Sequence, residues 1–163
     1  MENNQNHLFS LRPLQMKDAV RMLEWMRDET VTEFLRIGGK NTSLEDVQKF
    51  IASAQDESEN LHRAIVDEND VYYGTVSLKH IDHEKGEAEY AIAMHMDGIG
   101  TGASSAANRL ILDYACKLGF KRVYLYVSPE NRRAVRFYEK NGWQRCRERI
   151  PGSAYIWYEM LMG

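Results

Sequence analysis

Residues 93–104 read Ala93-Met94-His95-Met96-Asp97-Gly98-Ile99-Gly100-Thr101-Gly102-Ala103-Ser104, a strand that runs into a glycine-bearing loop and then into a long helix. Glycine lets the backbone come close to a guest and take positive φ. The free N–H groups of a helix's first turn, with the helix dipole behind them, form an anion site, and phosphate is the natural guest. The stretch lacks the Gly-x-x-x-x-Gly-Lys run of a P-loop. A dinucleotide fold would place its glycines after an early strand, not this late in the chain.

The chain before this loop changes period. Leu8 to Arg12 alternate as a short strand, and Met16, Ala19, Val20, Leu23 and Met26 recur at helical spacing. Thr42 with Glu45 three residues on forms a capping-box pattern that opens a second helix with Val47, Phe50, Ile51 and Ala54 on one face. Ala64–Val66, Val71–Leu78 and Ala88–Met94 suit strands, separated by the turn-forming runs 67–70 and 82–86, and read as an antiparallel meander. After the loop, Ala103, Ala107, Leu110, Ile111, Tyr114, Ala115 and Leu118 form a long apolar stripe ended by Gly119. Val123–Val127 is a further strand. Asn131 can cap a helix carrying Ala134, Val135, Phe137 and Tyr138, which Gly142 can end. The tail offers strands near 143–149 and 154–162, joined at Pro151-Gly152. The order β, α, α, three β, α, β, α, β, β predicts an α/β chain of the α+β mixed-sheet kind, mostly antiparallel, with helices on both faces.

Composition bounds the reading. The 163 residues are 44% hydrophobic and 28% charged, which predicts one domain over 1–163 with a core that needs no disulfide or structural metal. A net charge of −3 argues against a surface built to neutralise nucleic acid, so no nucleic-acid partner is expected. The polar start Met1–Asn6 is unlike a signal peptide and no apolar run approaches a membrane span, so a cytoplasmic protein without a membrane partner is expected. Cys116 and Cys146 are read as reduced thiols.

The segments Ala88-Glu89-Tyr90, Gly100-Thr101-Gly102, Leu112-Asp113-Tyr114-Ala115 and Val127–Trp143 together resemble the GCN5-related N-acetyltransferases (GNAT), in particular the branch of ribosomal-protein and amino-sugar acetyltransferases. The most specific part is Asn131-Arg132-Arg133-Ala134, then Tyr138-Glu139-Lys140-Asn141-Gly142-Trp143. The resemblance implies a sheet whose fourth and fifth strands splay apart, with acetyl-CoA as the acetyl donor and cosubstrate. Its pyrophosphate would rest on the loop and helix start, its pantetheine arm would lie along the fourth strand, and its thioester would enter the splay. The cofactor-binding residues so implied are Met94, His95, Met96, Ile99, Gly100, Thr101, Gly102, Ala103, Ser104 and Asn131. Ile99 falls where the family commonly carries Arg or Gln, so backbone amides, with charge from Arg132, Arg133 or Arg136, are expected to hold the pyrophosphate.

Acyl transfer to an amine needs a neutral nucleophile, donors for the oxyanion and an acid for the departing thiolate. The resemblance makes Tyr138 the acid beside the sulfur and Glu89 the base, acting through water. The backbone N–H groups of Ala93 to Met96 are read as oxyanion donors. Each has a plainer alternative: a core aromatic for Tyr138, a solvated or ion-paired glutamate for Glu89, a helix cap for Asn131 and a surface histidine for His95. His80, His83 and Glu84 imitate a metal site but sit at a hydrophilic turn, and no metal is expected. Arg145, Arg147 and Arg149 read as solvated charge alternating on an edge strand. Residues 25–28 and 34–39 are expected to shape the acceptor pocket.

The reading is an N-acetyltransferase that passes acetyl directly to a small-molecule or peptide primary amine in a ternary complex, since no cysteine lies in the motif to carry an acyl group. The alternative is a non-catalytic CoA-binding sensor or interaction module. The exposed strands of the tail suit a homodimer.

Overall fold

The computed structural model describes residues 8–35, 38–147 and 152–163. Met1–Asn6, Arg36, Ile37, Arg149 and Pro151, which carry parts of the expectations above, lie outside them. Seven strands form one sheet: β1 (Ser10–Pro13), β2 (Leu61–Val66), β3 (Tyr72–Asp82), β4 (Glu87–Met94), β5 (Arg122–Val127), β6 (Gln144–Arg145) and β7 (Ile156–Leu161), in the order β1-β2-β3-β4-β5-β7-β6. All neighbours are antiparallel except β4 and β5. The helices are α1 (Ala19–Met26), α2 (Glu29–Thr32), α3 (Leu44–Ser53), α4 (Ala103–Lys117) and α5 (Arg132–Lys140). The parallel pair requires a crossover, and α4 supplies it. No helix among the described residues is long and apolar enough to cross a membrane.

Strand alternation divides the core in two. Ile65, Val76, Leu78, Ala88, Tyr90, Val123, Leu125 and Tyr158 face α4 and α5. Ala64, Val66 and Tyr72 face α1 and α3, which bury Ala19, Met22, Trp25, Met26, Val47 and Ile51. Each fully buried aliphatic side chain in these layers stabilises the fold by about 1.5–3 kcal/mol.

Several local expectations are corrected. Met22 and Trp25 share the buried face of α1 with Ala19 and Met26, whereas Met16 and Val20 are exposed. A short 3-10 turn over Met16–Asp18 breaks the helical register assumed from Met16 onward. The capping box at α3 is Ser43 with Asp46, one residue later than the Thr42–Glu45 pair. Ser43 Oγ accepts from the Asp46 N–H at 3.0 Å, and the Asp46 carboxylate accepts from the Ser43 N–H at 2.9 Å. Both tetrads fit the pattern, and the start of the helix at Leu44 selects the second. The unexpected α2 rests on Asp28, whose side chain accepts from the Thr30 N–H, with no apolar face to announce it. β3 extends past Leu78 through a bulge between Lys79 and Asp82. β6 ends at Arg145, so Arg147 is not on the strand.

Candidate active site

β4 and β5 hold together over only three residue pairs, Glu87 with Arg122, Ala88 with Val123 and Glu89 with Tyr124. Beyond that point β4 pairs only with β3 and β5 only with β7, so the two strands diverge and leave a cleft. The His95 N–H is bonded to the Tyr73 carbonyl at 2.8 Å, which fixes the parity of the ladder. Odd-numbered residues of β4 turn their N–H groups to β3, and the even-numbered Ile92 and Met94 turn theirs toward the cleft. The oxyanion donors expected over Ala93 to Met96 are therefore corrected: Ala93 and His95 are committed to β3, and Ile92 and Met94 present the free edge.

At the mouth of the cleft β4 sends adjacent side chains to opposite faces. Glu89 points to the α1–α3 side, with its side chain 14% exposed and His80 Nε2 at 3.7 Å. Ala91 and Ala93 continue that face with small side chains, and Tyr124 and Tyr126 of β5 stand across it, the first stacked on Trp157 and the second tilted against it. Tyr90 points to the α4–α5 side.

His95 is 4% exposed, which overturns the surface position expected for it. Its Nε2 meets Glu24 Oε1 of α1 at 2.7 Å, while Nδ1 accepts from the Asp97 N–H at 3.0 Å. Both ring nitrogens are thus engaged, and Nε2 carries the proton in the neutral ring. Arg21 of α1 adds an ion pair to Asp97 at 3.2 Å, so α1 anchors the start of the loop at two points. Burial followed from a partner 71 residues away, which local pattern does not reveal.

The loop continues through a 3-10 turn, Met96–Gly98, to Gly100 and Gly102. Met96 is exposed, as is Ile99 at 43%. Thr101 Oγ1 donates to the Gly98 carbonyl at 2.6 Å and accepts from the Ala103 N–H at 3.2 Å, which stiffens the approach to α4. Gly102 caps α4 at φ +89°, a left-handed conformation that side chains resist, and makes no side-chain cap. The first turn, Ala103 with half-buried Ser104, carries no acidic residue. A 15-residue helix with a bare glycine start and no local carboxylate suits a diphosphate.

α5 brings Tyr138 to the same region. Asn131 caps it, its Oδ1 accepting from the Ala134 N–H at 3.3 Å. Arg132, Arg133 and Arg136 are exposed along the helix. Tyr138 is 8% exposed and meets Tyr90, Trp143 and Tyr158 by ring contacts. Burial alone pushes its phenol well above the ordinary value, so it stays protonated at any physiological pH. The fit to an acyl-CoA is good in this chain: an open strand edge, a bare helix start, and a protonated phenol beside the cleft. His80 and His83 form no metal cluster among the described residues, and His83 Nε2 lies 2.9 Å from the Ser58 carbonyl.

A strand edge opened by divergence, followed by a glycine loop at a helix start, defines an acyl-CoA-type transferase fold. Residues 9–144 match the family model described as Acetyltransferase (GNAT) domain, and the chain belongs to that family of acetyltransferases. It is 27% identical over 162 residues to an uncharacterized N-acetyltransferase p20 of Bacillus licheniformis, covering 93% of this chain and 90% of the relative. It is also 27% identical to spermidine N(1)-acetyltransferase of Escherichia coli K12, covering 84% and 73%. The fold matches that of spermidine N-acetyltransferase from Vibrio cholerae, solved in complex with CoA and spermine, with TM-score 0.82, 20% identity and 96% of each chain covered.

Proposed function

We propose that the protein transfers acetyl from acetyl-CoA to a primary amine by direct attack in a ternary complex, in the cytoplasm, a reading with which its two cysteines, not joined in a disulfide, agree. The observation that carries this reading is the divergence of β4 from β5 at Glu89, which places a carboxylate on one side of an open strand edge and Tyr138 on the other. The Gly100–Ser104 backbone holds the pyrophosphate, and the edge at Ile92 and Met94 takes the pantetheine arm and the thioester oxygen. Glu89, through water, removes a proton from the arriving ammonium, and the neutral amine attacks the carbonyl. As the C–S bond breaks, Tyr138 donates toward the sulfur, whose ordinary thiol pKa near 8.5 lies below that of the buried phenol. Full transfer is therefore uphill for an isolated buried phenol, and it needs a donor that stabilises the Tyr138 oxygen as its proton passes to sulfur, with solvent returning a proton to Tyr138 afterwards.

The acceptor is a small cationic amine. The spermidine acetyltransferases among its relatives support this class, as do Glu89 and the rings of Tyr124 and Tyr126 on the acceptor side, since a carboxylate and aromatic faces both attract ammonium. A panel of polyamines, amino sugars and peptide N-termini assayed for CoA-thiol release tests the proposal. Release that depends on one class of amine supports it. Tight acetyl-CoA binding with no release for any amine would instead make the chain a CoA-binding sensor or interaction module.

A further inference from the structure

Tyr90 is the first residue of β4 beyond its pairing with β5. It is 2% exposed, and its hydroxyl has no hydrogen-bond partner among the described residues. A buried phenol left unpaired is destabilising, and a phenylalanine would fill the same space without that cost. The ring meets Tyr138 edge-on, with centroids 6.0 Å apart and planes at 86°, and tilts against Trp143 at 5.0 Å. Two phenols thus share one apolar chamber.

The elements packed around this chamber bring mainly apolar side chains. From α4 come Ala103, Ala107 and Ile111, while Asn108 Oδ1 accepts from Trp143 Nε1 at 3.0 Å. Tyr158 gives its hydroxyl to Glu139 at 2.8 Å, and Arg145 lies 3.7 Å from the same carboxylate. Burial first, and then the neighbourhood of the Tyr138 phenol, raise the Tyr90 phenol well above its ordinary value, so Tyr90 holds its proton. A Tyr138 oxygen that gives its proton toward a thiolate becomes anionic inside an apolar wall, and such an anion is costly unless a donor faces it.

We propose that Tyr90 is a positioning residue whose hydroxyl donates through one water to the Tyr138 oxygen as that oxygen releases its proton to the leaving sulfur. Tyr90 keeps its own proton throughout. The proton that forms the S–H bond comes from Tyr138, the C–S electron pair stays on sulfur, and solvent restores the Tyr138 proton for the next turnover. The inference rests on the assignment of Tyr138 as the acid.

The test is a double-mutant cycle of Tyr90→Phe and Tyr138→Phe, with kcat, the acetyl-CoA KM and the melting temperature of the ligand-free protein measured for all four proteins. Tyr90→Phe alone is expected to lower kcat about 10- to 100-fold, the loss for a hydrogen bond to a charged group, with KM within a few fold. Its melting temperature should be unchanged or higher. In the Tyr138→Phe background the same substitution should change kcat by less than about two-fold, because the group it serves is gone. Full kcat in Tyr90→Phe beside a slow Tyr138→Phe overturns the inference and leaves the acid in place. Equal losses in both backgrounds, or a loss accompanied by a lower melting temperature, assign Tyr90 to packing and overturn it too. Wild-type turnover in Tyr138→Phe overturns both assignments.

Discussion

The Trp143 N–H donates to the Tyr138 carbonyl at 3.0 Å, and the two rings meet at 5.8 Å. This is the wider-spanning, C″-to-C3 hydrogen bond of a Schellman cap, and the Gly142 N–H to the Glu139 carbonyl, at 3.4 Å, is the inner, C′-to-C2 one. The run Tyr138-Glu139-Lys140-Asn141-Gly142-Trp143 therefore has a physical meaning. The end of α5 is folded back so that Trp143 packs on Tyr138 and fixes its ring against Tyr90.

Gly142 makes that cap possible, at φ +88°, and an added Cβ would meet nothing nearer than Met160 Cε at 4.0 Å. Gly142→Ala should therefore cost about 1–2 kcal/mol through backbone conformation alone. Gly142→Asn should recover part of it, because asparagine tolerates the left-handed region. Chemical denaturation of the three proteins checks the order Gly, Asn, Ala.

The start of α4 is tested by binding. Gly102→Val forces a β-branched residue into φ +89° and crowds the diphosphate, so acetyl-CoA affinity should fall strongly in calorimetry. Equal affinities for variant and wild type would remove the loop from the site.

Glu89→Gln should lower kcat/KM most below the pKa of the acceptor amine and progressively less above it, where free amine is abundant. Acetyl-CoA affinity should stay nearly constant. A uniform displacement of the pH–rate profile would assign Glu89 to attraction of a cationic amine, and no displacement would return it to an ion-paired strand residue.

How far the sequence disclosed this arrangement depended on the range of the interactions. α4 was legible because its apolar stripe is local, and the Asn131 cap and the Gly142 stop are each read within a few residues. The burial of His95 depends on Glu24 from α1, and that of Tyr90 on Tyr138 and Trp143, so neither shows in a local window. The slip from Ser43–Asp46 to Thr42–Glu45 arose because overlapping tetrads carry the same capping chemistry. The splay came from family resemblance alone, since divergence of two strands has no periodicity of its own. Which β4 amides face the cleft required the register, which the Tyr73–His95 bond sets.

His62 should govern part of the acid sensitivity. Burial, then the positive charges of Lys79 and Arg63, lower its pKa from 6.5 to about 4, and its Nδ1 lies 2.6 Å from Ser77 Oγ. The folded state then binds fewer protons than the unfolded state between those values, so stability falls as pH drops from 6.5 toward 4 and levels off below. The loss amounts to about 3 kcal/mol at most. His62→Gln should flatten the stability profile across that window, measured by denaturation at each pH, with little change above pH 7. A variant whose profile parallels the wild type would show that other groups carry the effect.

The most direct test of the account is Tyr138→Phe, measured on the best acceptor for kcat and by calorimetry for acetyl-CoA affinity. Loss of the donated proton predicts a kcat lower by about 10²–10⁴, with affinity within a few fold, because the hydroxyl acts only as the thiolate departs. An unchanged kcat would contradict the account and leave Tyr138 as a packing residue beneath Trp143.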